Sequence, residues 1–87
     1  MLKGKSETGF EFELDEEVLD DWELLELLER IDDGDVTVLS KAVVSVLGKD
    51  QYERLKDFIK QRDGKIKVSI MMQEFNSIMS AEKETKN

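Results

Sequence analysis

The sequence predicts a mainly α protein: a compact bundle of about four helices carrying a short N-terminal β-strand or hairpin. Three observations predict it. Apolar residues recur at three- and four-residue intervals in four separate stretches, the period of helices lying on a core. The gaps between those stretches hold Asp33-Gly34, Gly48 and Asp63-Gly64, each with a glycine that can close a helix, and no proline interrupts any of them. Residues 9–14, GFEFEL, instead alternate apolar and acidic, which is the period of a strand.

The alternation puts Phe10, Phe12 and Leu14 on one face of a strand. With a turn near Glu7 to Gly9 and Lys3 to Ser6 ahead of it, residues 2–14 make a hairpin. Two strands alone are marginal in water, so the ribbon lies on the helices or pairs with another chain. A helix over 16–32 follows, in which Asp15 to Leu19 form either a preceding turn or the first helical turn, with Asp20 and Glu23 at capping-box spacing. Trp22, Leu24, Leu25, Leu27, Leu28 and Ile31 cover roughly 220° of its circumference, against about 100° for a helix packed on one side. Glu23, Glu26 and Glu29, spaced by three, are the residues expected to reach water. This arc predicts a central helix, covered from two sides, with only its glutamate row in water.

Residues 37–47 hold Leu39, Ala42, Val43, Val46 and Leu47 on one side of a second helix, and Lys41 and Ser45 on the other. A third helix over 51–62 opens with Asp50 and Glu53 at capping spacing, and turns Tyr52, Leu55, Phe58 and Ile59 inward. A fourth over 69–81 gathers Met71, Met72, Phe75, Ile78 and Met79 within roughly 120°. Residues 1–80 thus form a single domain, and residues 82–87, which have nothing to bury, a flexible tail.

Composition narrows the function. The 87 residues carry a net charge of −8, distributed unevenly: residues 1–35 hold 14 acids and 3 bases, residues 36–87 hold 7 and 10. An acidic half of this kind disfavours nucleic acid as a partner, since phosphate neutralisation needs a basic face. Charge-guided docking or a homo-oligomer is compatible with the asymmetry, beside the plainer reading of a solvated surface. No run of about 18 apolar residues exists, so no membrane span is expected, and nothing at the N-terminus has a signal core.

Histidine and cysteine are absent, which removes imidazole and thiolate metal ligands, Ser-His hydrolases and thiol nucleophiles. The Asp32-Asp33-Gly34-Asp35 cluster fails as a calcium loop, because Gly34, Val36 and Val43 fall where oxygen ligands are required. Asp35-Val36-Thr37-Val38-Leu39-Ser40 lacks the Asp-Ser-Leu triplet of an acyl carrier protein. No phosphate-binding glycine loop is present. No catalytic residue, metal or cofactor is expected.

The order of pieces along residues 9–80 resembles another family: a strand Phe10 to Leu14, an acidic turn, and an Asp-Asp-aromatic-Glu-Leu-Leu helix start over Asp20 to Leu25. A Leu-Gly-x-x-Gln break at Leu47 to Gln51 and the Asp63-Gly64 turn complete it. In this order the chain resembles the small tail assembly chaperones of long-tailed bacteriophages and prophages. The resemblance implies a non-enzymatic protein of the bacterial host cytoplasm. It would bind the tape measure protein, keep its apolar helices soluble until the tail tube assembles, and help recruit tail tube subunits. For such a client the candidate contact is the flexible stripe Met71, Met72, Phe75 and Met79, with Phe10 and Phe12 second. Closure of the protein's own core competes as an explanation of the same stripe. Two other functions fit the composition: an acidic decoy in which Glu23, Glu26 and Glu29 imitate spaced phosphates, and a structural adaptor.

Overall fold

A computed structural model describes residues 2–85, with side chains through Ala81. Strands β1 (Leu2–Lys5) and β2 (Glu11–Leu14) form an antiparallel hairpin in which Leu2 faces Leu14 and Lys5 faces Glu11. Helices α1 (Trp22–Asp32), α2 (Leu39–Leu47), α3 (Lys49–Asp63) and α4 (Val68–Thr85) follow, with short 3₁₀ turns at Glu16–Asp20 and Val36–Val38. The fold class is the one the sequence predicts. Helix α4 runs to Thr85, beyond the expected start of the tail at 82, and residues 86 and 87 lie outside the described residues.

Two capping assignments change. Of the two alternatives for the start of the 16–32 segment the turn is the one formed, and α1 begins only after Asp21, whose extended backbone (φ −116°, ψ 122°) ends the 3₁₀ turn. Its carboxylate accepts from the Glu23 N–H at 3.0 Å, so Asp21 caps α1 in place of Asp20. Helix α3 starts at Lys49, before Asp50, because Gly48 at φ 82°, ψ 161° turns the chain between α2 and α3 in one residue. That conformation is open to glycine and strained for other residues. Asp50 then sits in the first turn and not at the cap.

The centre of the molecule is α2. Leu39, Ala42, Val43, Val46 and Leu47 are all buried, and the helix neighbours α1, α3, β2 and both 3₁₀ turns. Leu55 and Ile59 of α3, and Met71, Phe75 and Ile78 of α4, complete the core with Leu24. The expectation that α1 is the enclosed helix is corrected. Of its apolar residues only Leu24 is buried, Leu27, Leu28 and Ile31 are half-buried, and Trp22 and Leu25 are exposed. Charge explains the exchange of roles. Five of the eleven residues of α1 are charged, against Lys41 alone in α2, and burying charge costs far more than leaving a leucine wet.

The hairpin closes the other side of the core. Phe10, Phe12 and Leu14 share the buried face, as the alternation requires. The Phe12 ring lies across Gly4 on the neighbouring strand, where an added Cβ would fall 2.6 Å from the ring. The outer edge of β2 is closed by α3. Gln51 accepts from the Glu13 N–H and donates to the Glu13 carbonyl, both at 2.7 Å, as a third strand would. Its amide also donates to the Leu47 carbonyl at 2.6 Å. Covering an edge in this way suppresses pairing with other chains. Gln51→Ala is therefore expected to lower stability by about 1 kcal/mol, which is roughly 4–8 °C in a melting curve for a domain of this size. An unchanged midpoint would mean that water replaces the amide without loss.

Helix α4 lies against β1 and is tied to the turn between the strands. The Glu7 N–H donates to Ser77 Oγ at 2.7 Å, and the Thr8 hydroxyl donates to Glu74 Oε2. Glu74 is 2% exposed, the one buried carboxylate among the described residues, and Arg62 of α3 donates to the same oxygen at 3.3 Å. Three elements therefore meet on one carboxylate. Glu74→Ala is expected to cost about 1.5–3 kcal/mol, the usual range for hydrogen bonds to a charged group, and a thermal melt checks it. Arg62 also binds Asp63 at 2.7 Å, which holds the Asp63 carboxyl below the usual carboxylate range and raises the guanidinium.

Candidate functional site

The residues that sequence reasoning nominated for partner binding are drawn into the fold itself. Met71, Phe75, Phe10 and Phe12 are buried members of the core, and Met72 and Met79 are half-buried beside it. Phe10 is enclosed further, with the Phe58 ring 5.5 Å from its own and the Arg54 guanidinium 5.3 Å above it. A two-stranded ribbon cannot stand alone, and the apolar stripe of α4 is what it packs on. Met71 and Phe75 thus close the core, the competing explanation of the stripe, while Met72 and Met79 keep part of their surface open.

The exposed apolar surface lies on α1. Trp22 is 72% exposed and Leu25 is 46% exposed. At about 100° per residue, Trp22 projects roughly opposite Leu24 and Ile31, the residues that hold the helix to α2. Leu28 continues the strip toward the half-buried flank. Glu26 and Glu29 lie on either side of Trp22, Asp32 lies beside Leu25, and all three are exposed. Asp20 and Asp21 stand at the same end of the helix, also exposed, where their charge suits the positive pole of its dipole. The result is an apolar ridge in an acidic rim.

A second apolar opening lies between the Val36–Val38 turn, α2, α3 and the start of α4. It is a groove of ≈ 200 Å³ whose lining includes Val36, Tyr52, Ile66, Val68 and Met71, with Lys56 and Lys67 and no acid. Val36, Ile66 and Val68 are exposed, and Val68 is the most open of the three at 58%. Lys56 lies 4.8 Å over the Tyr52 ring and pairs with Glu53 at 3.2 Å. Asp35 pairs with Arg30 at 3.3 Å, fixing the turn before the groove to α1. The Asp35 carboxyl is held below its ordinary range first by the Thr37 hydroxyl, then by the Thr37 N–H.

Neither surface was nominated from the sequence. The available signal is the width of the apolar arc on α1, which two-sided burial and a one-sided contact with an exposed ridge both fit. Among the described residues no further helix covers the second side. The arrangement suits binding. Among the described residues no group of three or more acids is placed to hold a metal ion, and no helix is long and apolar enough to cross a membrane. Comparison with protein-family models, with curated proteins and with solved structures found no match.

Proposed function

We propose that this chain is a non-catalytic tail assembly chaperone of a long-tailed bacteriophage or prophage, acting in the host cytoplasm. It would hold the tape measure protein soluble until the tail tube assembles, and would pass it to tail tube subunits. Two things support this reading: the order of pieces along residues 9–80, and one observation that carries most weight, the exposed Trp22 and Leu25 on an acid-rimmed helix. An exposed tryptophan beside an exposed leucine is characteristic of an interaction surface, since aromatic anchors dominate binding energy.

The chemistry of the strip supports a helical client. An apolar ridge takes the apolar stripe of an amphipathic helix, and the rim of Glu26, Glu29 and Asp32 favours lysine and arginine along the borders of that stripe. The same rim would also serve a decoy, for which the acids and not the ridge would supply affinity. Salt separates these: apolar contacts survive at high ionic strength, while contacts between exposed charges are screened. Coexpression with the tape measure protein of the same genome tests the reading. The client should be soluble with the wild-type chain, remain bound as salt is raised, and precipitate beside a Trp22→Asp/Leu25→Asp variant. A client equally soluble with that variant, or equally insoluble with the wild type, would overturn it.

A further inference from the structure

We propose that the basic groove at Val36, Ile66 and Val68 receives the Trp22 ridge of a second copy of this chain, so that copies associate head to tail. The two surfaces differ in shape and sign. The ridge is convex, led by one indole, and bordered by Glu26, Glu29 and Asp32. The groove is concave and lined mainly by apolar side chains, with Thr37, Ser40, Lys67 and Lys56, the last also paired with Glu53. A cavity of roughly 150 Å³ takes a benzene ring, so a groove of ≈ 200 Å³ has room for one aromatic side chain. Trp22 is the only tryptophan of the chain and it projects straight out of α1.

Charge selects the second copy over another occupant. Residues 1–35, which include the ridge, carry 14 acids and 3 bases, while the groove's lysines belong to the half that carries 10 bases and 7 acids. Ridge against ridge would set acid against acid, a juxtaposition that suppresses pairing. Ridge into groove sets acid against base, and uses two different patches on each copy. Such a contact is heterologous, and it propagates unless the rotation closes a ring. It is also weak. One tryptophan of roughly 150–250 Å² and one half-exposed leucine fall short of the roughly 800 Å² per partner of a stable interface. A client that takes the ridge would displace the neighbouring copy, so that the free protein covers its own apolar surface.

Sedimentation velocity of the full chain, without any client, tests this separately from the tail-assembly reading. Wild type should gain mass with concentration, and more so at low salt. Trp22→Asp removes the ridge and Val68→Asp the groove; each alone should stay monomeric. Mixed in equal amounts they should form a 1:1 complex that grows no further, because one ridge and one groove remain to combine. A wild type that stays monomeric overturns the proposal, as does a Val68→Asp variant that associates like wild type, or a mixture that does not combine. Should either variant fail to fold, Lys67→Glu should weaken association on the order of tenfold, and Glu26→Lys/Glu29→Lys in the same chain should restore it. Without that restoration the groove does not hold the ridge.

Discussion

Val43→Asp is expected to abolish cooperative unfolding. Val43 is 0% exposed, in the middle of the helix that neighbours most other elements. The other buried residues of α2 are Leu39, Ala42, Val46 and Leu47, none of which can donate a side-chain hydrogen bond to a carboxylate. A buried carboxylate without a partner costs several kcal/mol, comparable with the roughly 5–15 kcal/mol that holds a small domain together. Circular dichroism during heating should show a broad, non-sigmoidal loss of helix or an unfolded chain from the start. A sharp transition near that of the wild type would remove α2 from the centre of the fold.

The second large effect is on binding and not on stability. Trp22→Asp with Leu25→Asp places two charges where the native side chains already meet water, so the melting midpoint should move by no more than about 4–8 °C, equivalent to about 1 kcal/mol. The double variant should nevertheless lose its helical client, because truncating a central aromatic anchor commonly removes 2 kcal/mol or more, about thirtyfold or more in affinity. Thermal melts and client pull-down, read on the same preparation, give both halves of the expectation. Loss of fold together with loss of binding would mean that the ridge is structural.

Much of the architecture was legible in the sequence because its signals were local. The alternation in GFEFEL placed Phe10, Phe12 and Leu14 on one buried face, and the inner stripe of α2 was identified residue by residue. Glycines marked three of the helix ends. What was not legible was long-range. Helical spacing states which residues share a face, but not whether a neighbour is available to cover it. The leucines of α1, expected in the core, are therefore partly surface, and the stripe of α4, for which core and surface both fit the spacing, puts Met71 and Phe75 in the core and leaves Met72 and Met79 half-buried. Charge density was the discriminating signal, since α1 alternates its leucines with acids and α2 does not.

Other features had no local signature at all. Glu74 resembles any helical glutamate until α3 and the hairpin turn bring Arg62 and Thr8 to it. Gln51 falls in the Leu-Gly-x-x-Gln break, yet its pairing with Glu13 joins residues 38 apart. The groove is assembled from the Val36 turn, α3 and the residues leading into α4, and none of these segments is unusual alone.

Fluorescence of Trp22 in dilute solution bears most directly on where α1 lies, since no other indole contributes. A peripheral helix with its ridge in water requires emission at the wavelength of a hydrated indole, little changed when the chain is unfolded in denaturant, and free access to a neutral quencher such as acrylamide. Emission shifted to the blue in the native monomer, with weak quenching that becomes strong on unfolding, would put the tryptophan inside the molecule and contradict the placement of α1 at its edge.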